Sequence, residues 1–182
     1  MTDIQAYVAL GANLGDPATQ IERALDELAR LPDTRLVTRS GLYLSKAQGY
    51  EAQPDFVNAV ALLATRLAPR ALLEALLDIE ARHGRSRDFK NAPRTLDLDL
   101  LLYDGLVLHE PGLTLPHPRM SERAFVLQPM SEIAPDQLIP GKGNIANCLA
   151  NLSGTALQLL PRSHLTVHGP TPLPAHASLA RP

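Results

Sequence analysis

Two aspartates, Asp97 and Asp99, are the residues of this 182-residue sequence best spaced to do chemistry together. They lie in an alternating apolar and polar run that predicts a β-strand. Side chains alternate between the faces of a strand, so the two carboxylates should project from one face about 6.6 Å apart. The leucines should share the other face, at Leu96, Leu98, Leu100 and Leu102. Carboxylate oxygens held this closely suit Mg²⁺, although a solvated acidic face would show the same alternation.

Positive charge is concentrated just before these aspartates. Residues 82–94 hold five arginine or lysine side chains and only one carboxylate, Asp88, in a chain of formal net charge −2. Arginine forks and a divalent cation are the parts needed to hold a polyphosphate. The chain has no G-x-x-x-x-G-K-[ST] motif, and the glycines at 11 and 15 lack the dinucleotide-binding spacing. The pattern therefore predicts a nucleotide that is bound by side chains and metal.

The elements that must position these residues follow a recognisable order. Apolar spacing and cap residues predict strands at 7–10, 36–44, 56–63 and 96–103, with helices beginning at Pro17 and Pro69. The order is strand, helix, strand, strand, helix, strand. It predicts an α/β (α+β) protein with a ferredoxin-like βαββαβ core, whose antiparallel sheet carries both helices on one face and the active site on the other.

Composition excludes several classes of protein. The near-neutral charge gives no global attraction to nucleic acid or to an anionic membrane, and no segment reaches the length of a membrane span. Cys148 is the only cysteine, so the chain forms no internal disulfide. We expect a cytoplasmic protein with a catalytic domain over 1–160 and a Pro-rich tail over 161–182.

The sequence resembles the 6-hydroxymethyl-7,8-dihydropterin pyrophosphokinase family of folate biosynthesis over about residues 5–160. The matching blocks are 11–15 (GANLG), 53–59 (QPDFVNA), 80–87, 93–99 (PRTLDLD), 115–118 (LPHP), 123–125 and 132–135. The resemblance implies a monomeric enzyme that transfers the diphosphate of ATP to the pterin hydroxymethyl group and releases AMP. It implies small-molecule substrates and no nucleic-acid or membrane partner.

The resemblance also implies roles for particular residues. Asp97 and Asp99 match the ligands of two Mg²⁺ ions and, with Arg85 and Arg94, the catalytic residues. The ATP contacts would be Glu80, Arg85, Arg87, Lys90, Arg94, Leu100, Thr114, His117 and Arg123. The pterin pocket would be Gly11, Ser45, Phe56, Asn58, Phe125 and Asp97.

Two other functions fit the residues themselves. A two-metal nucleotidyltransferase would also carry paired strand aspartates, and it would release pyrophosphate. A non-catalytic ferredoxin-like module would bind nucleotide or RNA without turnover, although the chain has only seven aromatic residues for stacking on RNA bases.

Overall fold

A six-stranded antiparallel sheet forms the centre of the fold in the computed structural model, which describes residues 2–47, 53–84, 95–152 and 157–161. The sheet strands are β1 (Ile4–Ala12), β2 (Thr34–Arg39), β3 (Tyr43–Ser45), β4 (Phe56–Thr65), β5 (Asp97–Tyr103) and β10 (Gln158–Leu159). Two short hairpins pair β6 (Leu108–Glu110) with β7 (Leu113–Leu115), and β8 (Leu138–Ile139) with β9 (Gly143–Asn144). The helices are α1 (Pro17–Leu28), α2 (Pro69–Arg82), α3 (Ala124–Ile133) and α4 (Ile145–Ala150), with one 3₁₀ turn at Met120–Glu122.

The strand order confirms the predicted class. The order across the sheet is β10-β3-β4-β1-β5, and β2 pairs with the second half of β4. The segment predicted as one strand over 36–44 is two strands, β2 and β3, which lie end to end along the same side of β4. Every pairing is antiparallel, as the βαββαβ order requires.

Helices α1 and α2 cover the first face of the sheet for reasons visible in the sequence. Asp16 caps α1 by accepting a hydrogen bond from the Thr19 amide at 3.2 Å, and a proline begins each helix. Apolar residues at helical spacing point to the sheet and are buried: Ile21, Ala24, Leu25, Leu28, Leu72, Leu76 and Ile79. They pack on the inward side chains of β1, β4 and β5 in one hydrophobic core.

Within the described residues, helices cover the second face of the sheet at one end. There α3 and α4 form a second core with the side chains of Tyr7, Val60 and Leu62. The sequence predicts only the active site on this face, so its partial coverage by α3 and α4 is a finding of the structure. The other end, called the open end below, carries Asp97 and Asp99. Within the described residues, no helix is long and apolar enough to cross a membrane.

A β-bulge interrupts the pairing of β5 with β1. Val8 lies opposite Leu100 and Tyr7 opposite Leu102, so Leu101 is an extra residue with no Cα partner in the register. Both Leu101 and Leu102 therefore pack in the second core, while Leu96, Leu98 and Leu100 pack in the first. The predicted face of Leu102 is wrong because strict alternation ends at the bulge.

Candidate active site

Three adjacent strands bring Asn58, Gly11 and Asp97 into one row across the open end of the second face. Gly11 on β1 pairs with Asn58 on one side and with Asp97 on the other. Neighbouring strands lie about 4.8 Å apart, so Asn58 and Asp97 are roughly 10 Å apart across the glycine. Because Gly11 has no side chain, the row forms a shallow trough between an amide and a carboxylate.

The Asn58 amide is oriented by its neighbours rather than by solvent. Its residue is only 5% exposed, and Nδ2 donates to the Tyr43 carbonyl at 3.2 Å, to Ser45 Oγ at 2.9 Å and to the Phe56 carbonyl at 3.3 Å. The Oδ1 atom lies 3.6 Å from the position that a Cβ on Gly11 would occupy. The side chain therefore presents its acceptor oxygen to the trough, while its donor is engaged within the protein.

The side chains of His117 and Arg123 lie beside the Asp99 carboxylate. His117 Nε2 lies 3.8 Å from Asp99 Oδ2, and Arg123 Nη1 lies 3.5 Å from the same oxygen. The backbone amide of Arg119 donates to His117 Nδ1 at 3.2 Å, so neutral His117 carries its proton on Nε2, the nitrogen that faces Asp99. Burial lowers the pKa of His117 below its ordinary value; Asp99 opposes this shift and Arg123 adds to it.

His117 is held to the bulge of β5. Its backbone amide donates to the Leu101 carbonyl at 2.8 Å, at the extra residue of the strand. One residue earlier in the chain, the Leu115–Pro116 peptide bond is cis. The bulge thus supplies the acceptor that attaches the histidine loop to the strand carrying both aspartates.

Two aromatic residues lie close in sequence to residues of the site, Phe56 two positions before Asn58 and Phe125 two positions after Arg123. Phe56 begins β4 and pairs with Ser45 on β3, while Phe125 lies in the first turn of α3. Both rings are half-buried, and the Arg123 guanidinium carbon lies 5.6 Å from the centre of the Phe125 ring, within range of a cation–π contact.

The structure places the remaining predicted residues in different environments. Glu80 on α2 is 2% exposed, and its Oε1 accepts a hydrogen bond from the Leu98 amide at 2.7 Å. The Leu100 side chain belongs to the first core, whereas Thr114 on β7 is half-buried. Arg85, Arg87, Lys90 and Arg94 lie outside the described residues, so their predicted roles stay predictions.

Several residues at this end were not predicted from the sequence. Asn13 is buried, and its Nδ2 donates to Gln53 Oε1 and to the Pro54 carbonyl, both at 3.0 Å, which holds the chain before β4 against the end of β1. Tyr43 and Glu132 share a hydrogen bond of 2.8 Å. Asn13, Gln53 and Glu132 all lie inside the motif blocks of the sequence, and that position was the only signal they offered.

The donor set for a cation is small in the described part of the chain. Among residues 2–47, 53–84, 95–152 and 157–161, no group of three or more His, Cys, Asp or Glu side chains is arranged to hold a metal ion. Asp97 and Asp99 together offer two carboxylates on one face of β5. Mg²⁺ is commonly held by one or two carboxylates, with water and phosphate oxygens completing its shell, and these two residues fit that pattern.

Comparisons with known proteins agree with one another. A family model described as 7,8-dihydro-6-hydroxymethylpterin-pyrophosphokinase matches residues 7–135. The chain is 48% identical over 157 residues to the 2-amino-4-hydroxy-6-hydroxymethyldihydropteridine pyrophosphokinase of Pseudomonas aeruginosa, covering 86% of this chain and 97% of that protein. It is 47% identical over 137 residues to the protein of the same name from Haemophilus influenzae, covering 75% and 86%.

A solved structure shows a similar fold. The HPPK-DHPS of Plasmodium falciparum, crystallised with pteroate, superposes with a TM-score of 0.64 at 12% identity over 81% of this chain. The present chain spans 42% of that longer chain. At this identity the likeness concerns the fold alone.

Proposed function

We propose that the open end of the second sheet face is the active site of this chain, which belongs to the 7,8-dihydro-6-hydroxymethylpterin-pyrophosphokinase family. The enzyme transfers the diphosphate of ATP to the hydroxymethyl group of 6-hydroxymethyl-7,8-dihydropterin in folate biosynthesis. The observation that carries the assignment of the site is the row Asn58-Gly11-Asp97, which places an amide acceptor and a carboxylate on opposite sides of a trough without a side chain.

The trough fits the pterin. A flat bicycle can lie over Gly11 with its rings near Phe56 and Phe125, where stacking adds about 0.5–1.5 kcal/mol per aromatic contact. Stacking does not distinguish one heterocycle from another, so selection requires hydrogen bonds. The Asn58 Oδ1 acceptor suits the amino and ring N–H donors of the pyrimidinone edge, because Asn58 Nδ2 is already engaged within the protein. Ser45 contributes by holding that amide.

The opposite side of the trough fits the phosphates. His117 and Arg123 supply N–H donors beside Asp99, and we assign the phosphate contacts to them together with Arg85, Arg87, Lys90 and Arg94. Asp97 and Asp99 would hold Mg²⁺, which when bound neutralises phosphate charge. Thr114 and the backbone at Leu100 would lie toward the adenosine. Glu80 holds the Leu98 amide and so supports the strand between the two aspartates.

Catalysis then consists of positioning and charge stabilisation. The pterin hydroxymethyl oxygen forms a bond to the β-phosphorus, the bond from that phosphorus to the oxygen bridging to the α-phosphate breaks, and AMP leaves with the bonding electrons. The hydroxyl proton is released to solvent. Holding the two reactants in line lowers the entropic cost of their meeting, and Arg123 and His117 stabilise charge on the transferred group.

Product analysis tests this assignment. With ATP and the reduced pterin, we expect AMP and pterin diphosphate in equal amounts, no turnover after chelation of divalent cations, and recovery on adding Mg²⁺. A nucleotidyltransferase would release pyrophosphate, and ADP as the stoichiometric product would also overturn the proposal. A binding module would give no product.

We also propose that residues 1–160 suffice for the activity, that the enzyme is a monomer and that it works in the cytoplasm. The family model ends at residue 135, and the tail over 161–182 lies beyond the blocks of the resemblance. A variant ending at Leu160 should keep its affinity for both substrates. In size-exclusion chromatography with light scattering, its molar mass should be that of one chain. Loss of either affinity would show that the tail belongs to the site.

A further inference from the structure

We infer that Glu132, near the end of α3, is a positioning residue for the pterin pocket. Its carboxylate holds residues 41–43, and those residues in turn orient the Asn58 amide; this rests on the proposed function of the trough. No described contact places Glu132 against the trough itself, so its effect on the substrate would pass through Gly41 and Tyr43.

The edge of the sheet is interrupted between β2 and β3. β2 ends at Arg39 and β3 begins at Tyr43. Between them the Ser40 amide still donates to the Val60 carbonyl at 2.9 Å, whereas the Gly41 amide takes its acceptor from outside the sheet. Ser40 Oγ accepts a hydrogen bond from the Val60 amide at 3.0 Å. The Gly41 amide donates to both carboxylate oxygens of Glu132, at 3.1 and 2.9 Å. A helix side chain thus replaces a strand as the acceptor at this point.

The second step connects Glu132 to the amide through Tyr43. The Tyr43 hydroxyl donates to Glu132 Oε2 at 2.8 Å, and the Tyr43 carbonyl accepts from Asn58 Nδ2 at 3.2 Å. Tyr43 is 7% exposed and lies directly opposite Asn58 in the β3–β4 ladder. Burial, with the Glu132 carboxylate as a second cause, raises the pKa of Tyr43 to about 12, so the phenol remains a donor at neutral pH.

The third step is the close packing at Gly41. A Cβ on this residue would lie 2.6 Å from Leu159 Cδ1 and 3.5 Å from Glu132 Oε2. A side chain at this position would push against the end of the exposed Leu159 side chain, so the small size of glycine lets β10 and the Glu132 carboxylate both lie close to residue 41. The segment is held between Leu159 on β10 and Glu132 on α3.

The fourth step is that α3 carries both ends of the arrangement. Phe125 and Glu132 are seven residues apart, which is about two helical turns and places them on the same side of the helix. Phe125 lies in the first turn of α3, and Glu132 holds the strand that orients Asn58. One helix, with Pro129 in its interior, therefore carries both the ring and the carboxylate that holds β3.

Calorimetry on variants separates positioning from general stability. We compare wild type, Glu132→Ala, Tyr43→Phe, the double variant and Asp136→Ala, an exposed acidic neighbour just beyond α3, as the matched control. The probes are 6-hydroxymethyl-7,8-dihydropterin, added with a non-hydrolysable ATP analogue present, and the ATP analogue alone. Thermal unfolding is measured on every variant.

We expect Glu132→Ala and Tyr43→Phe to weaken pterin binding by about 3- to 10-fold while affinity for the ATP analogue changes less than twofold. The double variant should lose no more than Glu132→Ala alone, because the hydrogen bond that Tyr43→Phe removes is already absent from Glu132→Ala. Asp136→Ala should match wild type.

Several results would overturn the inference. Folded Glu132→Ala protein with wild-type pterin affinity would do so, as would equal losses for both ligands that follow thermal stability. Additive losses in the double variant would also contradict it. If Glu132→Ala does not fold, Tyr43→Phe, which removes one hydrogen bond, decides in the same way. Wild type that binds no pterin would instead refute the proposed pocket.

Discussion

Replacing Gly11 by alanine should raise stability and lower pterin affinity at the same time. Gly11 is the residue before the last one of β1, and its φ is not positive, so alanine meets no backbone strain there. Among the described residues, the added Cβ would have one neighbour within 4 Å, Asn58 Oδ1 at 3.6 Å, which is an ordinary contact distance. Alanine restricts the unfolded chain more than glycine does, which stabilises the folded state by about 0.4–1 kcal/mol.

The same methyl group would occupy the floor of the trough. A group forced into a packed contact costs about 1–3 kcal/mol, which corresponds to about 5- to 150-fold in the dissociation constant. We expect weaker binding of the reduced pterin, unchanged affinity for an ATP analogue, and a slightly higher unfolding temperature.

Titration calorimetry and thermal unfolding on the same preparation check this prediction. Gly105→Ala is the control, since a Cβ at Gly105 would have nothing within 4 Å and that turn lies at the far end of β5. Gly11→Ala protein that binds pterin like wild type would show that the substrate does not lie over Gly11. Lower stability would refute the packing argument.

The remaining predictions concern charge and buried polar groups. Asp97→Asn and Asp99→Asn should each lower AMP formation by at least about 10²-fold without loss of folding, because both side chains lie outside the hydrophobic cores; near wild-type rates in saturating Mg²⁺ would contradict this. Thr95→Val should leave the free energy of unfolding unchanged or raise it, since Thr95 Oγ1 is buried without a hydrogen-bond partner. Thr34→Val, which removes a hydrogen-bonded hydroxyl, should lower the free energy of unfolding in the same urea titration. Burial raises the pKa of Glu22, so the contribution of this group to stability is complete below its unfolded pKa of 4.5 and is lost as pH rises through its folded pKa. Glu22→Gln should therefore be more stable than wild type at pH 7 and not at pH 3.5. Equal stability of the two proteins at both pH values would contradict this.

Local patterns in the sequence were enough to predict α1, α2 and the aspartate pair of β5. The three- and four-residue spacing of apolar side chains in α1 and α2 reports directly which face is buried, and the alternation of β5 reports that Asp97 and Asp99 share a face. The resemblance added the family, which the comparisons confirm.

Pairing between distant strands could not be predicted in the same way. That Gly11 lies between Asn58 and Asp97 depends on the registers of β1 with β4 and with β5, and a shift of one residue would turn each side chain to the opposite face. The bulge at Leu101 was equally hidden, because three consecutive leucines look the same to a periodicity argument whichever face they take. The contacts of Glu132 are also long-range and leave no local signal.

The bulge at Leu101 matters to anyone who would transplant this chemistry onto another scaffold. A designer who copied Asp97 and Asp99 onto a regular β-strand, with His117 on a neighbouring loop, would reproduce the side chains without the Leu101 carbonyl that accepts a hydrogen bond from the His117 amide at 2.8 Å. The minimal graft is therefore one residue longer than the ladder it replaces, and backbone libraries built only from ideal strands would never sample it.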